Sequence, residues 1–155
     1  MTIKRKAAPR KRAVSGTADK TKPNERGGRL PSGIAKVSLK AVRAGLGFAS
    51  VERLREQLAL TQADIGHYLG IPRQTLARRK QAGKLSAAES DRVVRYGKLL
   101  GRATDLFGEQ AAAVTWLKTP AVALDGEAPL EQATTELGAE HVFDLITRLE
   151  HGIPT

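Results

Sequence analysis

The sequence predicts an all-α protein: a helix-turn-helix bundle followed by a second, small helical domain. Three observations predict it. The stretch TQADIGHYLGIPRQTLARRKQ, Thr61 to Gln81, has the spacing of two short helices joined by a tight turn. Two later segments, about 87–107 and 139–151, repeat apolar residues at helical intervals. No stretch alternates apolar and polar residues over five positions, so almost no sheet is expected.

Residues 1–33, MTIKRKAAPRKRAVSGTADKTKPNERGGRLPSG, mix Lys, Arg, Pro, Gly, Ser and Thr without a period. Such a segment buries too little apolar surface to offset its ordering entropy, so it reads as a disordered basic tail. It can lie along phosphates or simply stay solvated. Residues 34–104 read as the helix-turn-helix domain. Ile34, Val37, Val42 and Leu46 mark a short helix or extended lead-in. Ser50 reads as the N-cap of the next helix, which carries Val51, Leu54 and Leu58 on one face. Thr61 caps a helix over Gln62 to Leu69. Gly70 stands where that helix stops and the chain turns, a place where glycine tolerates positive φ. Pro72 opens the following helix, Pro72 to Gln81, where its missing N–H costs nothing, and Gly83 ends it. Ile65, Leu69, Ile71 and Leu76 wedge the two helices against a third, with Gly66 small where they cross.

Ser86 and Glu89 have capping-box spacing and open a long helix, about 87–107. Its buried stripe is Val93, Tyr96, Leu100, Ala103 and Phe107, widened by Val94, Leu99 and Leu106, and Gly108 stops it. Residues 105–155 form the second domain. Glu109 to Leu117 is a short helix with the sole Trp, broken at Thr119-Pro120. A turn follows at Asp125-Gly126. Pro129 opens another short helix, PLEQATTEL, stopped by Gly138. The last helix, Ala139 to His151, sets Val142, Leu145, Ile146 and Leu149 at i, i+3, i+4 and i+7, with Gly152 as its C-cap. Ile153-Pro154-Thr155 project beyond.

Charge divides the chain as the pattern does. Residues 1–46 hold 13 Lys and Arg against 2 Asp and Glu, residues 47–104 hold 11 against 5, and residues 105–155 hold 2 against 9. The net charge of +10 favours a polyanionic partner for the front half, and the acidic back third suggests a different one. There is no cysteine, hence neither a disulfide framework nor thiolate chemistry. No apolar run reaches the length of a membrane span, and the basic start lacks a following apolar core, so a cytoplasmic protein is expected. Six aromatic residues in 155 argue against a single-strand binder that stacks bases.

The second helix of the motif presents Arg73, Gln74, Thr75, Arg78 and Arg79 to solvent, with Lys80 beside them. Arg and Gln pair bidentately with guanine and adenine edges, so a helix so furnished suits a DNA major groove. The plain alternative is an αα-hairpin that never touches DNA, but such a hairpin needs neither Gly66 nor four cations between Arg73 and Lys80. No catalytic constellation is found. His67 lies in the motif, where a phosphate contact or a solvated face is the natural role. His141 with Glu140 or Asp144 is too small a ligand set for a metal. No phosphate-cradling glycine loop occurs, and no cofactor is expected.

Two parts of the chain together resemble one family. GLGFASVERLREQLALTQADIGHYLGIPRQTLARRKQAGKLSAAESDRVVR is similar to the Xre-type helix-turn-helix of Xre/MbcA/ParS-family antitoxins, including the passage Arg78, Arg79, Lys80, Gly83, Leu85, Ser86, Glu89, Ser90, Asp91 and Arg92. The C-terminal part resembles that family's toxin-binding domain through Ala111 to Pro120, Gly126, Pro129-Leu130, Thr135, Gly138, Val142, Leu145 and Arg148 to Gly152. The resemblance covers about residues 40–153. It departs at Ala121-Val122 and Leu124-Asp125-Gly126, where the family often has Asn-Pro and then Leu-Gly.

The resemblance implies an antitoxin of a type II toxin–antitoxin pair. Its partner would be a RES-domain toxin that degrades NAD, with the antitoxin blocking the active site and repressing its own operon through operator DNA. It would act as a homodimer within a heteromeric complex, away from membranes. In that picture the toxin-facing residues are Trp116, Pro120, Leu130, Arg148, His151, Gly152, Ile153, Pro154 and Thr155, the last four able to enter the toxin cleft with the terminal carboxylate. Trp116 also suits a core position, and Arg148 can serve the helix dipole. The acidic third can equally be a solvated face. Two other readings stay open: a plain transcriptional regulator with a C-terminal dimerisation domain, and a chromosome-partition adaptor.

Overall fold

A long helix through the middle of the chain organises everything else. A computed structural model describes residues 37–153; the basic tail, Ile34, Pro154 and Thr155 lie outside them. Among the described residues there are eight α-helices, one 3-10 turn and no strand, only a single antiparallel bridge between Gly47 and Lys84. None of these helices is long and apolar enough to cross a membrane.

The lead-in is a helix, α1 (Leu39–Ala44), capped by Ser38, whose hydroxyl accepts from the Ala41 N–H at 3.2 Å. Gly45 follows at φ 88°, and a Cβ there would stand 2.2 Å from the Leu85 carbonyl oxygen, so the close approach requires glycine. Helix α2 (Ala49–Gln57) starts one residue before Ser50, which therefore lies in its first turn and does not cap it. Tertiary packing decides this start: Phe48, 5% exposed, is pinned by its N–H to the Gly83 carbonyl at 2.9 Å. Val51, Leu54 and Leu58 are fully buried as the spacing predicts.

Helix α3 (Gln62–Tyr68) is capped by Thr61, and Asp64 completes a capping box that the sequence reading did not single out. Gly70 turns the chain at φ 60°. The Ile71 N–H then reaches back to the Gly66 carbonyl at 2.8 Å. Helix α4 (Arg73–Ala82) places Pro72 just outside as its N-cap, one position earlier than expected, and Gly83 ends it at φ 69°. Helix α5 (Ala87–Phe107) keeps the predicted bounds and the Ser86–Glu89 capping box. Phe107 leaves the predicted stripe: at the helix end it is 38% exposed and lies against Trp116, ring centroids 5.5 Å apart.

Helix α6 (Gln110–Lys118) leads to the 3-10 turn Val122–Leu124, then to α7 (Pro129–Gln132) and α8 (Glu136–Glu150). The expected stop at Gly138 is corrected. Thr135 caps α8, its hydroxyl accepting from the Gly138 N–H at 3.0 Å, and Gly138 sits buried in the first turn. A Cβ there would lie 1.8 Å from the Gln132 carbonyl oxygen, so this glycine serves α7–α8 contact and breaks nothing. At the far end His151 is the C-cap, with Gly152 one position beyond it at φ 64°. The Gly152 N–H donates to the Leu149 carbonyl and that of Ile153 to Arg148, a Schellman closure that fixes the end of the helix.

Helix α5 packs against α1, α2, α6 and α8. One continuous apolar core therefore runs from Phe48 and Val51 to Leu145 and Ile146. The boundary between residues 104 and 105 falls inside α5, which serves both halves.

Candidate nucleic-acid interface and partner surface

Helices α3 and α4 meet at a narrow crossing. The Gly66 position explains it: a Cβ there would come 3.2 Å from the Ile71 carbonyl oxygen and 3.7 Å from Leu76 Cδ2. Ile65, Leu69, Ile71 and Leu76 are all buried beneath. Arg92 of α5 closes the back, donating from Nη1 to the Leu69 carbonyl at 2.9 Å and satisfying one of the carbonyls left over at the end of α3. The front is a groove of about 710 Å³. Gln62, His67, Arg73 and Lys80 rim it, with Ala63, Gly66 and Ala77 between.

The predicted base-reading set divides in the structure. Arg73, Gln74 and Arg78 are exposed on α4, and Thr75 is half-buried. Lys80 is exposed and leans on Glu52, Nζ to Oε1 at 3.4 Å. Arg79 is placed otherwise. Its Nε donates to both carboxylate oxygens of Glu89, at 2.8 and 3.1 Å, and its side chain is 31% exposed. Glu89 itself is 7% exposed and also accepts the Ser86 N–H at 2.7 Å. A carboxylate that deep requires a counter-charge. Burial pushes the Glu89 carboxyl up, but the Ser86 N–H and the Arg79 guanidinium outweigh it and hold the group below its usual range. Arg79 thus ties α4 to α5, which corrects the expectation that α4 presents it wholly to solvent. Gln62, absent from the predicted set, joins the same groove; its signal was its place at the first position of α3, four residues before Gly66 on the same face.

His67 bridges the two halves. Its Nε2 lies 3.1 Å from Glu131 Oε2 on α7. Tyr96 Oη donates to the Leu130 carbonyl at 3.2 Å, Lys118 Nζ to the Ala59 carbonyl at 2.9 Å, and Arg95 pairs with Glu136. The unit that carries α6–α8 is therefore strapped to the helix-turn-helix by polar contacts over a shared apolar core.

The predicted partner-facing residues also separate. Leu130 is 1% exposed, its side chain committed to the core, so the structure removes it from any surface. Trp116 is half-buried, packed on the core and on Phe107. Pro120 is exposed at the end of α6. Arg148, His151, Gly152 and Ile153 gather at the exposed end of α8, where His151 Nδ1 donates to the Thr147 carbonyl at 2.7 Å. Among the described residues no group of three His, Asp or Glu is placed to hold a metal ion.

A cation-rimmed α3–α4 pair on a bundle that closes with an acidic helical unit defines a helix-turn-helix protein with an appended interaction module. Residues 38–96 match the family model described as the antitoxin Xre-like helix-turn-helix domain, and residues 102–152 match the antitoxin Xre/MbcA/ParS C-terminal toxin-binding domain. The chain is 33% identical over 126 residues to Antitoxin Xre of Yersinia enterocolitica, covering 80% of this chain and 85% of that one. It is 35% identical over 111 residues to Antitoxin Xre of Photorhabdus laumondii, with 70% and 75% covered, and 30% identical over 109 residues to that of Pseudomonas putida, with 68% and 67% covered. The chain belongs to the Xre antitoxin family, and with its relatives it is no enzyme.

Proposed function

We propose that this chain neutralises a RES-domain, NAD-degrading toxin by binding over its active site, and represses its own operon by binding operator DNA as a cytoplasmic homodimer. Residues 34–104 take the DNA and residues 105–155 take the toxin. The observation that carries this reading is the union, on one core, of two unlike surfaces. The α3–α4 groove offers Gln62, Arg73 and Lys80 with Gln74 and Arg78 beside them. The unit beyond α5 is acidic, 2 Lys and Arg against 9 Asp and Glu in residues 105–155. A site that binds NAD must attract phosphates, and an acidic partner complementary to it gains steering and specificity.

The test is to co-express this chain with the protein encoded beside it, purify through a tag on one partner, and assay the free neighbour for NAD loss. A stable complex, with NAD depleted only when this chain is absent, supports the reading. No complex and no NAD effect leaves a DNA-binding regulator whose C-terminal unit serves dimerisation. A footprint with two half-sites spaced roughly 34–36 Å supports the homodimer.

A further inference from the structure

One surface of the C-terminal unit shares no residue with the α3–α4 groove. Residues 119–127 form a closed loop between α6 and α7. The Ala121 N–H donates to the Glu127 carbonyl at 3.0 Å, and the N–H groups of Leu124 and Gly126 both donate to the Ala121 carbonyl at 3.0 Å. Leu124 is buried, and its carbonyl accepts from Gln132 Nε2 at 3.3 Å. The loop is thus fixed at its base and pinned from inside. At its tip Val122 is 96% exposed. Single exposed apolar residues are ordinary on a protein surface. Val122 differs in being held out by a backbone whose hydrogen bonds are closed around it. Beside the loop lies a cleft of about 330 Å³, lined by Asp125, Gln132, His141, Asp144 and Arg148. His141, Asp144 and Arg148 follow one another on a single face of α8 at i, i+3 and i+7, and Leu137, 62% exposed, extends that face by a turn.

We propose that Val122 and this cleft are the surface on which the toxin docks. Val122 enters an apolar recess of the toxin, and the carboxylates of Asp125 and Asp144 meet basic groups at the rim of that recess. The proposal rests on the toxin reading above and adds its location. Three observations select this occupant. The whole surface falls within residues 102–152, the stretch that matches a toxin-binding domain. Its two carboxylates, Asp125 and Asp144, outnumber its one arginine, Arg148, in a third of the chain with 9 Asp and Glu against 2 Lys and Arg, so a basic partner is the complementary one. The loop is already ordered, and a preorganised apolar anchor loses little freedom on binding.

The test uses the full chain and the protein encoded beside it, with two variants, Val122→Asp and Asp144→Lys. Both sites are exposed, so melting temperature and binding to the DNA upstream of the gene are expected to match the unaltered chain. Toxin affinity is expected to fall by about tenfold or more in each, the loss of one buried anchor or one opposed charge. Unchanged toxin affinity in both variants overturns the proposal. So does a variant that dissociates the homodimer while still capturing toxin, since the occupant is then a second copy of this chain. Failure of the unaltered chain to capture any toxin overturns the toxin reading itself, and the assignment of this surface falls with it.

Discussion

Replacing Glu89 with Gln tests how helix α4 is held. Helix α4 buries only Leu76, so apolar packing alone fixes it weakly. Its other inward anchor is Arg79 on the Glu89 carboxylate. Gln keeps the side-chain length and still accepts the Ser86 N–H, so the substitution removes charge and leaves the cap. Removing one member of a fully buried ion pair costs about 3–5 kcal/mol. The Arg79 side chain retains 31% exposure, so water restores part of its solvation. The discounted cost is about 1–2 kcal/mol. For a chain of this size that lowers the melting temperature by about 2–8 °C. Urea unfolding gives the free energy directly, and a double-mutant cycle with Arg79→Ala isolates the coupling, expected at about 1 kcal/mol. A second readout is DNA. With α4 released, affinity for the DNA upstream of the gene is expected to fall more than affinity for unrelated duplex, because in the proposed function only the former depends on where Arg73 and Gln74 stand. Unchanged melting, no coupling in the cycle and an unchanged ratio of the two affinities would refute the reasoning.

Three other outcomes follow from the same geometry. Arg73→Ala or Gln74→Ala is expected to cost about 1–3 kcal/mol on the specific site and to relax base preference there, measured by competition binding. Gly138→Ala drives a methyl into the Gln132 carbonyl oxygen, so α7 must move from α8; a fall in unfolding free energy of about 2 kcal/mol or more is expected from this steric cost. Glu89 and Glu52 both ionise more readily folded than at their ordinary 4.5, Glu52 chiefly through its bond to Arg55. Their stabilisation is therefore complete above that value and is lost as pH falls through the lower folded values; acid titration of stability is expected to decline there, less steeply in Glu89→Gln.

Much of the fold was legible because local chemistry and periodicity agreed. Helix α5 has a capping box at one end, a glycine at the other and an apolar stripe between, and its bounds came out as read. Thr61, Gly70 and Gly83 marked the motif for the same reason. Errors arose where one residue type has two uses. Ser50 is a good cap by type, but the buried Phe48 set the start of α2. Gly138 reads as a stop, yet it is needed for close contact between α7 and α8. The candidate sites show the same split. Arg73, Gln74 and Arg78 stand exposed as expected, while Arg79 and Leu130 turned inward, since neither a buried counter-ion nor a core slot announces itself along the chain.

The sequence by itself determined that this protein is all-helical, that Thr61 to Gln81 is a helix-turn-helix, and that its family is that of the Xre antitoxins. The first two rest on spacing and caps, which are properties of neighbours in the chain, and the third on the resemblance of two motif regions, in this order, to known antitoxins. Only the tertiary structure decided that α5 carries both halves on one core, that Arg79 serves Glu89, and that Val122 stands out beside a cleft holding Asp125 and Asp144. Each of these depends on distant residues meeting: burial fixes which charge must be paired, and chain closure fixes which apolar side chain is left in water.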